Sequence, residues 1–245
     1  MQAENATFPK AVLWDLDGTL INTEPYWQQG EVEMFKRHGG RMESDFAVKM
    51  QGTHLEHVAE QMILRGMNAD PEQICREISD YVFQKEKEQL PWNPGILNIL
   101  EQLRDASIPS ILVTASPRCM AENFLSQAPK NAFAGYVCGQ DDLPHKPDPA
   151  PYMRGADIAR SVLGNDSIAN SEMLAFEDSE PGIIAATGAG AKTIAITGTS
   201  RIDIANDPAY ADLKRKTVAR IPNLEGYTLQ MLADFNIAAN RDQSV

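Results

Sequence analysis

Apolar residues follow two rhythms along this chain, and the rhythm changes at Pro91. Before it, after one short run near the N-terminus, apolar positions recur at helical spacing. Beyond it, short continuous apolar runs alternate with helical stripes. The N-terminal run is Ala11-Val12-Leu13-Trp14. A short apolar run bounded by turn residues predicts a buried strand of a parallel sheet. It leads directly into Asp15, then Asp17, Gly18 and Thr19. Two carboxylates at a strand end cannot both be core, and Gly18 permits a sharp turn just past them.

The helical block opens at Thr23-Glu24-Pro25, with Thr23 a candidate N-cap and Pro25 in the first turn. Trp27, Met34 and Phe35 follow at helical spacing, and Gly39-Gly40 marks a stop. Thr53-His54-Leu55-Glu56 has the form of a capping box. It precedes the stripe Leu55, Val58, Ala59, Met62, Ile63, which Gly66 closes. Asp70-Pro71 with Gln73 begins another helix, carrying Ile74, Ile78, Tyr81 and Val82.

After Pro91, Asn93-Pro94 predicts the cap of a helix bearing Ile96, Leu97, Leu100 and Leu103. Runs at Ser110–Val113, Tyr136-Val137, Met173–Phe176 and Thr193–Ile196 predict strands, with an edge strand at Val218-Ala219. Helices are predicted from Pro117 (N-cap Ser116), from Pro149 to Leu163, from Glu180 to the glycines at 188 and 190, and over 224–233. Residues 1–10 and the tail after Asn236 read as loose ends. Strictly alternating strands and helices predict an α/β fold with a doubly wound parallel sheet and right-handed crossovers. The expected organisation is an α/β core of residues 1–24 and 92–245, with 25–91 inserted as an all-helical cap over the strand ends.

Composition changes this picture little. Apolar residues are 43% and charged residues 23%, as in ordinary globular proteins. A net charge of -12 opposes attraction to nucleic acid or to an anionic membrane, but does not exclude a small anionic substrate. No apolar run approaches the ~20 residues of a membrane span, and MQAENATFPK is not a signal pattern, so a cytoplasmic location is expected. Cys75, Cys119 and Cys138 are odd in number and unclustered, which predicts reduced thiols.

The chemistry gathers at strand ends: Asp15 and Asp17, then Thr114 and Ser116, then Glu177 and Asp178. Open parallel sheets bind ligands in the crevice outside the carboxyl ends of their strands. Lys146, in a loop leading into a helix, is available to the same crevice. Carboxylates that converge repel, by about 4 kcal/mol for two unit charges ~4 Å apart at an effective dielectric near 20. A hard divalent cation with oxygen ligands is the natural counter-charge, and Mg2+ commonly pairs carboxylates with a substrate phosphate. Lysine and hydroxyl donors suit the remaining phosphate oxygens. An aspartate can serve as nucleophile through an aspartyl-phosphate, and a partner two residues on can pass the proton.

DLDGTL at 15–20, VTAS at 113–116, Lys146 in HKPDPAPY and FEDSEPG at 176–182 together resemble the four ordered motifs of the haloacid dehalogenase-like phosphohydrolases. The resemblance covers nearly the whole chain, and lies nearest the β-phosphoglucomutase-like branch with its sugar-phosphate and hexitol-phosphate phosphatases. It implies that Asp15 is the nucleophile and a Mg2+ ligand. It makes Asp17 the general acid/base, with its main-chain carbonyl on the metal. Glu177 and Asp178 are then metal ligands, Lys146 balances charge, and Thr114, Ala115 and Ser116 bind the phosphoryl group. Asn22 stands where the family often has an acid. The implied reaction is Mg2+-dependent hydrolysis of a small phosphorylated metabolite, a sugar or polyol phosphate, by a monomer or weak dimer.

Selectivity is expected from cap residues Trp27, Gln51 and His54. His54 and His57 share a helix face, but a zinc site would need further ligands. A phosphosugar mutase is the alternative enzyme, against which Trp27 stands in place of a histidine and Leu55 in place of an arginine. A dehalogenase would have no use for Asp17, and a phosphonatase would want a cap lysine such as Lys49, Lys85 or Lys87. A phospho-accepting receiver module is the non-enzyme alternative, and it would need no helical insert.

Overall fold

The apolar run after Lys10 forms strand β1 (Val12–Trp14), and every one of its residues is buried. The computed structural model describes residues 8–50, 55–200 and 203–241. Five further parallel strands join β1: β2 (Ser110–Val113), β3 (Phe133–Val137), β4 (Leu174–Glu177), β5 (Lys192–Ile196) and β6 (Ala219–Ile221). The strand order is β3-β2-β1-β4-β5-β6, all neighbours parallel. β2, β4 and β5 are buried throughout, as strands covered on both faces must be. The order reverses between β1 and β4, the switch point at which doubly wound sheets open a crevice.

The chain divides into two compact units, residues 1–21 with 92–245 and residues 22–91. The helical unit holds α1 (Glu24–His38), α2 (Phe46–Met50), α3 (Leu55–Leu64) and α4 (Pro71–Glu88). Met34, Phe35, Phe46, Val58, Met62, Ile74, Ile78 and Val82 form its core, so the stripes read from the sequence are the buried faces. Asp70 caps α4, accepting from the Gln73 amide at 2.8 Å. Thr23 stands at the N-cap of α1 without a side-chain cap bond. The predicted capping box at 53–56 falls partly outside the described residues.

In the sheet-bearing unit the helices are α5 (Ile96–Asp105), α6 (Arg118–Gln127), α7 (Ala150–Leu163), α8 (Glu180–Gly188), α9 (Ala211–Lys216) and α10 (Leu229–Arg241). Tyr152, Ala156 and Ala159 of α7 pack on Leu13, Ile111 and Val113 of the sheet. Trp14 and Phe176 stack at 4.4 Å between centroids on adjacent strands.

Several local expectations are corrected. α5 takes Gly95, in a left-handed conformation, as its N-cap, and Asn93 turns its amide elsewhere. α6 begins after Pro117 without a cap bond, because the Ser116 hydroxyl has a tertiary partner. The last helix starts five residues later than predicted, at Leu229, and runs on through the supposedly loose tail to Arg241. Its delay follows from the turn at Gly226, where φ is 76°, and from Thr228, whose hydroxyl accepts from the Met231 amide at 3.4 Å. Among the described residues no helix is long and apolar enough to cross a membrane.

Candidate active site

Three adjacent strands at the switch point, β2, β1 and β4, deliver the polar groups. Asp15 follows β1, Thr114 to Ser116 follow β2, and Glu177 ends β4 with Asp178 just beyond. The Asp15 amide donates to Phe176 O at 3.1 Å, so sheet pairing itself holds the two acidic strand ends level. Lys146, in the loop after β3, reaches the same place. Its ammonium donates to Asp15 Oδ1 at 2.7 Å, Glu177 Oε1 at 2.6 Å and Val113 O at 2.9 Å. The side chains are nearly dry, 8% exposed for Lys146 and 10% for Asp15.

Ligand oxygens of Asp15, Glu177 and Asp178 lie within 4.8 Å of one another. Burial first, then the charge of Glu177, pushes the Asp15 carboxyl up to about 7 against the pull of Lys146. Burial, Asp15 and Glu177 push Asp178 well above the carboxylate range too. Burial opposes the charge on Lys146, yet Asp15 and Glu177 outweigh it and hold the ammonium above its ordinary value. One ammonium does not neutralise three packed carboxylates.

Asp17 sits over this cluster, with the Ser116 hydroxyl donating to its Oδ2 at 2.5 Å. The Ser116 amide donates to Thr114 Oγ1 at 2.9 Å, which leaves the Thr114 hydroxyl proton for a ligand. Gly18 adopts φ +90° with the Asp178 carboxylate against it, and a Cβ there would fall 2.1 Å from Oδ2. The turn is held from behind. Asn93 Nδ2 donates to Gly18 O and Thr19 O, each at 2.9 Å. Thr199 donates to Gly18 O, and Ser200 Oγ to Asp178 O at 2.5 Å. Asn93, Thr199 and Ser200 escaped sequence reasoning because a loop hydroxyl or amide has no periodicity to betray its partner.

The structure therefore gathers Asp15, Asp17, Thr114, Ser116, Lys146, Glu177 and Asp178. Ala115 is exposed beside them, and its carbonyl lies so close to Gly139 that a Cβ there would fall 2.0 Å away. Trp27 belongs to the helical unit, half-buried against that unit's core. Gln51 and His54 lie outside the described residues. His57 is exposed beside Glu60, 3.8 Å away.

Asp15 and Asp178 offer the all-oxygen donors that a hard divalent cation takes, and Glu177, whose oxygens already accept five hydrogen bonds, adds charge beside them whose repulsion added positive charge relieves.

The chain belongs to the haloacid dehalogenase-like hydrolases, whose family model matches residues 12–196. Validoxylamine A 7'-phosphate phosphatase of Streptomyces hygroscopicus subsp. limoneus is 28% identical over 218 residues, 88% of this chain and 98% of that protein. Hexitol phosphatase A of Escherichia coli strain K12 is 28% identical over 221 residues, covering 87% and 96%. The fold matches the crystal structure of β-phosphoglucomutase from Clostridium difficile with a TM-score of 0.65, at 14% identity over 95% of this chain and 99% of that one.

Proposed function

We propose that this chain is a Mg2+-dependent phosphomonoesterase acting on a small phosphorylated metabolite, a sugar or polyol phosphate, through an aspartyl-phosphate on Asp15. The observation that carries the reading is the cluster of Asp15, Glu177 and Asp178 at the switch point, with Lys146 bridging Asp15 and Glu177. Similarity to a validoxylamine phosphate phosphatase and a hexitol phosphatase supports the substrate class.

Asp15 attacks phosphorus, so the P–O bond to the leaving group breaks as the bond to its carboxylate forms. Asp17 gives its proton to the departing alkoxide. It then takes a proton from the water that attacks the aspartyl-phosphate, releasing inorganic phosphate and free Asp15. The Ser116 hydroxyl orients Asp17 through its 2.5 Å bond. The Thr114 hydroxyl donates to the phosphoryl oxygens and the Lys146 ammonium offsets their charge from beside Asp15, since prepositioned polar groups in a dry site act most strongly. Asp15, Asp178 and the Asp17 carbonyl would hold Mg2+, with Glu177 completing the acidic set. The ion would supply further neutralisation of the phosphoryl charge. Residues 25–91 serve as a cap that selects substrate and excludes water, with Trp27, Gln51 and His54 as its selecting groups.

The test is phosphate release from a panel of sugar and polyol phosphates. Turnover is expected with Mg2+, disappears on chelation and disappears in Asp15→Asn. A single stoichiometric burst without further release would mark a phospho-accepting module instead. Sustained turnover by Asp15→Asn would refute the mechanism.

A further inference from the structure

A tyrosine beneath the cluster is a fully buried polar side chain in contact with it that the mechanism above leaves without a role. Tyr152 lies in the first turn of α7, fully buried among Leu13, Val113 and Ala156. Its hydroxyl stands 2.8 Å from Glu177 Oε1 and 3.5 Å from Lys146 Nζ. The Lys146 ammonium sits 5.0 Å from the ring centroid, within cation–π range.

Donor counting assigns the phenol proton. The ammonium has three N–H bonds, and Asp15, Glu177 and Val113 O take all three at 2.6 to 2.9 Å. The Tyr152 hydroxyl must therefore donate to Glu177. Glu177 Oε1 accepts from Lys146 and Tyr152, while Oε2 accepts from the Asp178 and Ser179 amides and from Ser179 Oγ. Every lone-pair direction of this carboxylate is occupied, so its position is fixed.

We propose that Tyr152 is a positioning residue for phosphoryl transfer, acting through Glu177 on the Lys146 ammonium; this rests on the phosphatase reading above. By donating to Oε1, the phenol offsets part of the Glu177 charge, so the ammonium is shared with Asp15 rather than captured by Glu177. The ring supports the ammonium from its apolar side. Without the hydroxyl, Oε1 keeps one donor only, and draws Lys146 down into the sheet, away from the oxygen where the phosphoryl group will sit. A tyrosine that merely fills the core would be replaceable by phenylalanine at no catalytic cost.

The experiment compares wild type, Tyr152→Phe and Asp15→Asn, each as the full chain with Mg2+. It measures melting temperature, kcat, KM and inhibition by orthovanadate. Tyr152→Phe is expected to stay folded, to lose on the order of 10-fold in kcat with KM within 2-fold, and to bind orthovanadate several-fold more weakly. 4-Aminophenylalanine at position 152 restores an N–H donor and is expected to recover most of the kcat. Wild-type kcat in Tyr152→Phe, or a loss matching only the fraction unfolded, overturns the proposal. Should the phenylalanine variant fail to fold, 3-fluorotyrosine at 152 takes its place, since it keeps the shape and changes the donor strength. A kcat changed at least 2-fold then supports the role and an unchanged kcat overturns it. An inactive Asp15→Asn beside a fully active Tyr152→Phe sinks this inference alone; an active Asp15→Asn sinks the reading beneath it.

Discussion

Gly182 is the most informative single glycine in the chain. It lies in the first turn of α8, and its amide donates to the Ser179 cap at 3.2 Å. A Cβ placed on it would fall 1.9 Å from Glu177 Oε1 and 2.1 Å from Oε2. Gly182→Ala must therefore push the carboxylate away from its five donors. Breaking a buried ion pair costs about 3–5 kcal/mol, and alanine's better helix propensity returns about 1. The net loss is about 2–4 kcal/mol, or roughly 4–16 °C in melting temperature for a chain of this size. Lys146 shifts with Glu177, and a displacement near 1 Å costs on the order of 10²-fold in kcat. Gly188→Ala on the same helix is the control. Its added Cβ would meet only the Pro149 ring, at an ordinary 3.5 and 3.9 Å, so kcat is expected to hold and stability to hold or rise slightly. Thermal melts and phosphate-release assays on the two variants decide the matter. Gly182→Ala within about 0.5 kcal/mol of wild type, with unchanged kcat, would refute the packing argument.

Glu31 of α1 is buried, and burial first, then Glu24, raises its carboxyl from 4.5 to about 7. The folded chain then holds a proton between those values that the unfolded chain has released, so stability falls as pH rises through the window, by up to about 3 kcal/mol. Glu31→Gln should flatten that fall in denaturant melts between pH 5 and 7.5; parallel curves for the two proteins would contradict it. Ser116→Ala removes a hydrogen-bond donor to Asp17 and should cost roughly 5- to 10-fold in kcat on an alkyl phosphate, whose leaving group needs a proton. On p-nitrophenyl phosphate, whose leaving group does not, the loss should stay below about 2-fold, and equal losses on both would argue against Ser116 serving the acid.

The sheet was legible because each buried strand is a short apolar run ending in a polar residue, and the strand ends named the crevice in advance. Asp15, Lys146, Glu177 and Asp178 were legible by order and residue type, since a buried acid at a strand end has few structural uses. What the chain concealed was where short polar side chains turn. Asn93 and Ser116 look like helix caps, and local pattern offers no reason to choose otherwise; tertiary partners at Gly18 and Asp17 outbid the helix ends. Tyr152 reads as one more buried position on an amphipathic helix. Only the fold puts its hydroxyl against Glu177. The start of the last helix was hidden for a similar reason, since the Gly226 turn sits inside a stretch whose apolar residues already keep helical spacing.

The central claim is covalent transfer of a phosphoryl group to Asp15. Rapid quenching during turnover, borohydride reduction of any acyl phosphate and peptide mass spectrometry test it most directly. The account predicts homoserine at position 15, absent when substrate or Mg2+ is withheld. Substrate turning over with Asp15 unmodified, or reduction at a different carboxylate, would contradict it.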